Sequence, residues 1–281
     1  MGGTLFVVAT PLGNLDDLSS RAIRVLGAVE IIACEDTRHT RKLLTHFHID
    51  TRTLSYHEHN EEKRCPELIR QLKEGKDLAL VSDAGTPQIS DPGYRLVREC
   101  RKRGLTVLPI PGPSAATAAL SVSGLPPDRF LFVGFLPRTR PRRLQELEKL
   151  KRIPSSLIFF VPPHALRNHL ADLRAILGNR LGFLAKEISK IHERHWWGPL
   201  DEIMRDLEGS LKGEYTLIVA GSDDKDPVEC NLDLHAYVEG LQQLRRMKRK
   251  EAIRQAARDL GKSRNEVYRQ VAVKKVQEDP S

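Results

Sequence analysis

The first half of the chain alternates short apolar runs with segments of helical periodicity, and this alternation restricts the fold more than any other feature. Five runs have the length and composition of buried strands: 4–10, 30–35, 53–57, 77–82 and 106–111. Between and after them, apolar residues recur at helical spacing over 16–29, 37–47, 61–74, 92–103 and 113–124. Consecutive parallel strands need crossovers of this kind. The pattern therefore predicts an α/β fold with a mostly parallel sheet and helices on both of its faces.

Two of these helices begin with residues that favour helix starts. Asn60 is predicted to cap the helix 61–74, and Asp91 to cap the helix 92–103, with Pro92 at its first position.

The second half predicts another αβ domain, separated from the first near Ser123. A new strand begins near Phe130, and alternating elements follow: helix 139–152, strand 155–161, helix 163–177, strand 180–188, helix 200–208 and strand 214–221. Residues 222–230 are polar and have the composition of a linker. We therefore predict an N-terminal αβ domain (1–123), a second αβ domain (124–225), and a linker with a basic helical tail (226–281).

The tail has the pattern of a helix, a glycine turn and a second helix. The first helix has Ala252, Ile253, Ala256, Ala257 and Leu260 on one face, and Gly261 ends it. Ser263 and Glu266 form a capping box for the next helix. The spacing fits a small helix-turn-helix module and an ordinary helical hairpin equally well.

The net charge of +8 is concentrated in two segments. Residues 241–281 contain twelve Lys and Arg against five Asp and Glu, and residues 137–152 contain seven against two. The remainder of the chain is therefore acidic. Local basic segments on an acidic body indicate a polyanionic partner such as nucleic acid, although solvated helix faces have the same composition.

Cysteine and histidine spacing argues against a metal or redox site. The four cysteines, Cys34, Cys65, Cys100 and Cys230, form no C-x-x-C pair and are expected to be reduced thiols. His57 and His59 lack an evident third ligand, and we predict no metal. No apolar run approaches the roughly 20 residues of a membrane span, and "MGGTLFVVAT" does not resemble a signal peptide, so a cytoplasmic location is expected.

All five strands of the first half are followed by glycine, proline or polar clusters: "ATPLGNL", "CEDTRHT", "YHEHN", "SDAGTP" and "PGPSA". Open α/β sheets bind ligands at this edge. Neither the dinucleotide fingerprint nor the phosphate loop is present. Glycine-rich turns let a ligand approach the backbone, and Asp83 can accept from ribose hydroxyls or an amino group. These features favour a nucleoside-containing cofactor without a polyphosphate.

Five motifs in order carry a family resemblance: "VVATPLGNLDDLSSRA", "ACEDTRHTRKLL", "SYHEHNE", "ALVSDAGTPQISDPG" and "PIPGPSAATAALSVSGLP". They resemble the bacterial 2′-O-ribose methyltransferases of small-subunit ribosomal RNA, in the tetrapyrrole-methylase superfamily. The resemblance runs from residue 4 to about residue 221, and the tail is similar to that family's helical extension. It implies a homodimer with S-adenosylmethionine in a cleft between two αβ domains. It also implies methylation of a cytidine ribose in the decoding centre of 16S rRNA.

The resemblance further implies which residues contact the cofactor, namely Pro11, Leu12, Gly13, Asp83, Gly85, Thr86, Ser114, Ala115, Phe160, Ala185 and Tyr215. The chain departs from the family at 161–165, where an acid and an arginine that usually flank the position of His164 are missing. RNA affinity or target choice is expected to differ if either residue serves the RNA.

A ribose hydroxyl is a poor nucleophile, so a base or charge stabiliser is expected near it. The candidates are His57, Glu58, Lys186 and Glu187, with Glu35 and Asp36 beside them. Each has a structural alternative: Asp36 could cap helix 37–47, Glu58 could lie in a turn, and Lys186 with Glu187 could form an ion pair.

The candidates for RNA contact are arginines: Arg38, Arg41, Arg138, Arg140, Arg142 and Arg143. They fit phosphate binding and ordinary solvated positions alike. Two other functions remain open, a small-molecule tetrapyrrole methylase and a non-catalytic RNA-binding factor. The basic tail and "CEDTRHTRKLL" favour RNA over a tetrapyrrole, and the intact cofactor loops argue against a non-catalytic role.

Overall fold

The computed structural model describes residues 2–209, 211–223, 234–245, 247–259 and 263–273. The chain forms two compact units, Met1–Asp223 and Asp224–Ser281. The predictions for Cys230, Leu260, Gly261 and most of the linker 222–230 lie outside the described residues. The predicted domain boundary near residue 123 stays a prediction.

The first sheet has five parallel strands in the order β3-β2-β4-β1-β5. They are β1 (Thr4–Val8), β2 (Ile31–Cys34), β3 (Arg52–Ser55), β4 (Leu78–Val81) and β5 (Thr106–Ile110). Every residue of β2 and β4 is buried, which is why these strands read as continuous apolar runs. The predicted parallel sheet is confirmed.

Helices cover both faces of this sheet. They are α1 (Ser20–Ala28), α2 (Thr37–His46), α3 (Glu61–Lys73), α4 (Tyr94–Lys102) and α5 (Ala115–Val122). One core joins Leu26 and Leu44, from α1 and α2, to the sheet. A second core joins Leu68 and Leu96, from α3 and α4, to its other face.

The two predicted helix caps are arranged differently from the sequence expectation. Asn60 occupies the N-cap position of α3, but its side chain turns back, accepting from the backbone N–H of His57 and donating to the carbonyl of Ser55. The prediction for Asp91 is wrong, because α4 begins at Tyr94 and Gly93 is its N-cap residue. Gly93 has φ of 133°, a conformation that side-chain-bearing residues avoid.

The second sheet is mixed, in the order β6-β7-β10-β8-β9. Its strands are β6 (Phe130–Phe135), β7 (Ser156–Val161), β8 (Leu181–Lys186), β9 (Arg194–Pro199) and β10 (Tyr215–Val219). Helices α6 (Arg140–Leu150), α7 (Leu166–Leu177) and α8 (Leu200–Arg205) share a core with one face. Helix α5 packs on the other face, so it links the two halves of this unit. Strand β9 was not predicted.

The second unit contains α9 (Leu234–Arg245), α10 (Arg249–Asp259) and α11 (Arg264–Val273). Its described helices share an apolar core: Val238, Leu241, Ala252, Ile253, Ala256, Ala257, Val267 and Val271. The predicted capping box is confirmed, since the Ser263 hydroxyl accepts from the Glu266 N–H and the Glu266 carboxylate accepts from the Ser263 N–H. Helix α9, which the sequence analysis left unassigned, adds a third helix to the predicted pair.

Within the described ranges, no helix is both long and apolar enough to cross a membrane. Cys34, Cys65 and Cys100 are buried free thiols. Burial raises the pKa of Cys100 to about 12, so this thiol is protonated at neutral pH and is a poor nucleophile.

Candidate functional site

A pocket of about 430 Å³ lies at the carboxyl end of the first sheet. Loops after β1 and β4 form one side, helix α2 contributes to the wall, and two residues of the second half close it. The lining residues are Pro11, Leu12, Gly13, Leu15, His39, Lys42, Leu43, Asp83, Ala84, Lys190 and Glu214. The volume falls within the range of ligand sites, roughly 300–1,000 Å³.

Backbone contacts hold three of the predicted loops together. Thr10 and Gly85 exchange two backbone hydrogen bonds, of 2.9 and 3.0 Å. Thr86 donates its hydroxyl to the Pro113 carbonyl at 3.1 Å, which connects the loop after β4 to the loop after β5. Gly85 has φ of 81°, and a Cβ there would lie 3.3 Å from the Leu12 side chain. Glycine is therefore required where these loops approach one another.

Asp83 lines the pocket and is oriented by a residue that follows the adjacent strand β2. Its Oδ1 accepts from the Asp36 N–H at 3.2 Å. Asp36 caps α2, accepting from the Arg38 N–H at 2.8 Å, so the structural alternative predicted for it is confirmed.

Carboxylates dominate the electrostatics at this edge of the sheet. Burial raises the pKa of Glu35, and the nearby charges of Asp83 and Glu58 add to the effect. Burial also raises the pKa of Asp91 to about 6, a hydrogen bond with Ser82 opposes the shift, and Glu35, Asp83 and Glu214 add to it. These carboxylates favour a cationic group on their side of the pocket, while Lys42 and Lys190 in the lining balance Asp83 and Glu214.

The proton on the His57 ring can be assigned from its contacts. Asn60 Nδ2 lies 3.1 Å from His57 Nε2, and the other bonds of Asn60 fix that nitrogen as the donor. The ring proton is therefore on Nδ1, which is buried and has no partner among the described residues. Glu58 is exposed, and the His57 and His59 rings are 6.0 Å apart.

Lys190 and Glu187 form an anchor that the sequence analysis missed. Glu187 Oε1 accepts from Lys190 Nζ at 3.1 Å and from the Glu214 N–H at 2.9 Å. Lys190 Nζ also bonds Glu214 Oε2 at 3.0 Å. The ion-pair alternative for Glu187 and Lys186 takes another form, because the partner of Glu187 in the structure is Lys190. Burial alone would lower the pKa of Lys190, but these hydrogen bonds raise it, so the ammonium stays charged.

Lys190 also packs the second half of the chain against the loop after β1. A Cβ on Gly13 would overlap Cγ of Lys190. Ser189 donates its hydroxyl to the Asp17 carboxylate. The absence of a side chain at residue 13 is therefore what lets the Lys190 stem lie across the pocket. Sequence motifs after β1 mark Gly13, but nothing local identifies its partner 177 positions later in the chain.

The remaining cofactor candidates are distributed over two faces of the second sheet. Phe160 packs edge-on against Phe132 and Phe135, with centroids 5.1 and 5.6 Å apart. Phe160 and Ala185 belong to the cluster that contains α5, whose N-cap residue Ser114 precedes Ala115. Tyr215 is buried in the core on the opposite face.

Five of the six candidate RNA-binding arginines reach solvent. Arg138, Arg140 and Arg142 are exposed near the start of α6. The Arg38 side chain is 89% exposed and pairs with Asp36. Arg41 is half exposed and contacts Asp50.

Arg143 is not on the surface, where a residue that binds RNA has to lie. It is buried, its Nε donates to Asp172 at 2.9 Å, and its Nη1 donates to the carbonyls of Pro137 and Arg138. The residue therefore ties the loop before α6 to α7. Its one-turn helical neighbour Arg140 also bonds Asp172 but remains exposed.

No group of three or more His, Cys, Asp or Glu side chains arranged to hold a metal ion occurs in the part of the chain that the structure describes. His164, in the segment that departs from the family pattern, is exposed in a short 3₁₀ turn before α7.

Comparison with known proteins defines the class. Residues 4–204 match the family model of "Tetrapyrrole (Corrin/Porphyrin) Methylases". Uroporphyrin-III-C-methyltransferase from Thermus thermophilus superposes with a TM-score of 0.57, at 21% identity, over 78% of this chain and 94% of that one. Diphthine synthase gives 0.58, at 15% identity, over 78% and 89%. The fold is that of the tetrapyrrole methylases.

Sequence relatives narrow the class. Proteins named "Ribosomal RNA small subunit methyltransferase I" include one from Halalkalibacterium halodurans, 46% identical over 95% of this chain and 93% of its own length. The protein from Escherichia coli O157:H7 is 48% identical over 78% of each, and that from Micromonospora olivasterospora 44% over 96% and 86%. The chain belongs to this ribosomal RNA small subunit methyltransferase I family of tetrapyrrole methylases. The family and fold predicted from the five motifs are confirmed.

Proposed function

We propose that this protein transfers a methyl group from S-adenosylmethionine to the 2′-hydroxyl of a cytidine ribose in the decoding centre of 16S rRNA. The observation that carries the proposal is the pocket at the carboxyl end of the first sheet, built by three motif loops of this family. Relatives that align along nearly the whole chain are named as methyltransferases of small-subunit ribosomal RNA.

The pocket suits this cofactor in size and charge. Its volume of about 430 Å³ lies in the range of small-molecule sites. Asp83 and Glu214 offer carboxylates to a ligand that carries a sulfonium and an ammonium group. When bound, the cofactor supplies an activated methyl group. The proposed contacts are Pro11, Leu12, Gly13 and Asp83, which line the pocket, together with Gly85, Thr86, Ser114, Ala115, Phe160 and Ala185. Tyr215 is withdrawn from this set because it is buried in the core on the opposite face of the second sheet.

Four side chains are proposed to act on the ribose, and their contacts in the structure limit the role that each can have. The Nδ1 of His57 is buried and its Nε2 faces Asn60, so both ring nitrogens are withdrawn from a ligand. Lys186 is half-buried and can stabilise negative charge, and exposed Glu58 can accept a proton. Glu187 is bonded to Lys190 and to the Glu214 N–H, so its contribution is to position the loop.

RNA binding is proposed for the exposed arginines and the basic tail. Arg38, Arg41, Arg138, Arg140 and Arg142 can neutralise phosphates, and Arg143 is withdrawn from this surface because it is buried. Binding driven by such contacts loses affinity steeply with salt. Removing residues 224–281 should lower RNA affinity more than cofactor affinity, measured by fluorescence anisotropy and calorimetry. Unchanged RNA binding would contradict an RNA-binding role for the tail.

We also propose a cytoplasmic homodimer. Edge strand β6 exposes three large apolar side chains, Phe130, Leu131 and Phe135, at 47%, 39% and 56%. Exposed apolar patches on a sheet edge favour association. Sedimentation equilibrium tests this, and a monomer at micromolar concentration would contradict it.

The decisive test of the activity is transfer of a radiolabelled methyl group to 16S rRNA, presented as naked RNA and as small ribosomal subunits. Label in RNA that resists alkaline cleavage after one cytidine supports the proposal. Transfer only to a porphyrinogen would support a tetrapyrrole methylase instead, and RNA binding without transfer would support a non-catalytic factor.

The cofactor site is tested with Asp83→Ala and Gly13→Ala. Asp83→Ala removes a pocket carboxylate, and Gly13→Ala displaces the Lys190 stem, so both should weaken cofactor binding by at least about tenfold in calorimetry. Gly27→Ala is the control, because a Cβ there meets nothing within 4 Å. Unchanged affinity in Asp83→Ala would remove Asp83 from the site.

A further inference from the structure

Helix α2 carries basic side chains on two neighbouring faces. Arg38 and Arg41 lie one helical turn apart, and each pairs with a carboxylate of the surrounding chain. His39 and Lys42 also lie one turn apart, and both line the pocket at the carboxyl end of the first sheet. The face of α2 that borders the pocket is therefore not the one that the sequence analysis assigned to RNA.

Lys42 offers the pocket an ammonium group that is not engaged elsewhere. Within the described ranges, neither Lys42 nor His39 has a side-chain hydrogen bond or an ion pair, and both side chains are exposed. The other lysine of the lining, Lys190, bonds Glu187 and Glu214 at 3.1 and 3.0 Å. Lys42 is therefore the lysine of this pocket whose charge is available to a ligand.

The core fixes the position from which these two side chains reach the pocket. Thr40 and Leu44 of the same helix are buried, and Leu44 belongs to the core on one face of the first sheet. Leu43 lines the pocket and packs against that core. A group bound by Lys42 therefore has a defined position relative to the loops of the pocket, because the helix itself is anchored.

The pocket has an acidic side and a basic side. Asp83 and Glu214 are its lining carboxylates, and they suit the cationic groups of the proposed methyl donor. A group that suits Lys42 and His39 has to carry negative charge and accept hydrogen bonds. Two groups of the proposed reaction meet this requirement, the carboxylate of the cofactor and a phosphate of the RNA.

The chemistry of the acceptor favours the phosphate. The 2′-hydroxyl and the 3′-phosphate are attached to adjacent carbons of the ribose, so turning the hydroxyl toward a bound methyl donor brings this phosphate to the edge of the pocket. RNA is too large to enter the pocket and has to meet exposed side chains such as Lys42 and His39. Arg38, whose side chain is 89% exposed, continues the basic surface beyond them. Phosphate contacts fix the register of a nucleic acid on a protein.

We propose that Lys42 and His39 bind the phosphate on the 3′ side of the acceptor cytidine and so hold its 2′-hydroxyl toward the pocket, an inference that rests on the proposed function. Lys42 supplies the charge, and the His39 ring supplies a hydrogen bond. This contact positions the acceptor, so its loss should slow methyl transfer even when RNA is saturating. It should leave cofactor binding unchanged.

The first experiment measures single-turnover methyl transfer to small ribosomal subunits, with cofactor and subunits both saturating. Lys42→Gln should slow transfer by about 10²-fold, and Lys42→Arg, which keeps the charge, should stay within about fivefold of wild type. Lys73→Gln is the matched control and should transfer at the wild-type rate. Lys73 is an exposed lysine in the last turn of α3, which leads into the start of β4 at the opposite edge of the sheet from the pocket.

Calorimetry with S-adenosylmethionine separates the two anionic groups. The cofactor affinity of Lys42→Gln should stay within about twofold of wild type, whereas a loss of about tenfold would assign Lys42 to the cofactor carboxylate and overturn the inference. Wild-type transfer rates in Lys42→Gln would overturn it as well. Failure of the wild-type protein to transfer at all would count against the proposed function instead.

The salt dependence of RNA binding tests the contact with phosphate directly. Loss of one phosphate contact should reduce the slope of log Kd against log salt concentration by about 1 in Lys42→Gln, measured by fluorescence anisotropy with 16S rRNA. Lys73→Gln should keep the wild-type slope. A wild-type slope in Lys42→Gln contradicts a phosphate contact at this residue.

A double variant tests whether the two side chains hold the same group. If Lys42 and His39 bind one phosphate, the loss of transfer rate in the double variant of Lys42→Gln and His39→Ala should be smaller than the product of the two single losses. A loss equal to that product would show that the two residues act on separate groups and would overturn the shared site.

Discussion

Replacing Asp91 with asparagine should stabilise the protein at neutral pH. The folded state holds Asp91 where burial, together with Glu35, Asp83 and Glu214, disfavours the ionised form. A carboxyl whose pKa is raised on folding contributes stability that is present below its unfolded pKa and lost as pH rises through its folded pKa. For Asp91 this window runs from about 4 to about 6. Asparagine does not ionise, so it avoids that loss.

The size of the expected stabilisation follows from the pKa shift of Asp91. The pKa rises from 3.8 to about 6, or roughly two units, and each unit corresponds to about 1.4 kcal/mol. Because Asp91 is partly exposed, solvent screening reduces the full 3 kcal/mol by about half. We therefore expect Asp91→Asn to gain about 1.5 kcal/mol relative to wild type between pH 4 and pH 7.5.

Chemical unfolding at pH 4.0, 5.0, 6.0 and 7.5, followed by tryptophan fluorescence, provides the assay. Asp128→Asn, at an exposed aspartate, is the control. The stability difference between Asp91→Asn and wild type should grow across this range and level off above pH 7. A constant difference, or one that falls with pH, would show that Asp91 is not held in a destabilising environment.

Two further comparisons test a close packing contact and a buried ion pair. Gly93→Ala should cost about 3 kcal/mol, because it combines a φ of 133° with a Cβ 2.7 Å from Leu80. Gly104→Ala, with φ of 67° and nothing within 4 Å, should cost about 1 kcal/mol, and equal losses in denaturant unfolding would refute the steric argument. Asp172→Asn should cost at least about 3 kcal/mol because it leaves a buried guanidinium unpaired. Asp201→Asn, at a half-exposed pair, should cost under about 1 kcal/mol, and similar thermal shifts for the two would contradict this.

The elements that the sequence predicted well are those whose pattern reflects burial on both faces. Strands β2 and β4 are entirely buried, so their apolar runs and the helices between them define the first sheet. The loops after β1, β4 and β5 were also predictable, because motif residues there, such as Gly85, need special backbone conformations. The loops after β1 and β4 converge on one pocket because their strands run parallel.

The elements that escaped prediction depend on tertiary contacts. Strand β9 is an edge strand with exposed polar residues, so it lacks an apolar run. Arg143 lies in a basic segment of the kind that is usually exposed. It is buried because it pairs with Asp172, 29 positions later in the chain. Asp91 and Pro92 have the local signature of a helix start, but packing of Gly93 against Leu80 delays the helix. A local sequence pattern carries no information about a partner that is distant in the chain and comes into contact only on folding.

The overlap of the Lys190 stem with the space above Gly13 has a consequence for how fast a small molecule exchanges. Lys190 lines the pocket, and its ammonium is paired with both Glu187 and Glu214. We expect the release of a pocket ligand to slow as these ion pairs strengthen, because movement of the lysine then costs more. Since ions in solution weaken partly exposed pairs, raising the ionic strength should shorten the stay of the cofactor as well as loosen the RNA.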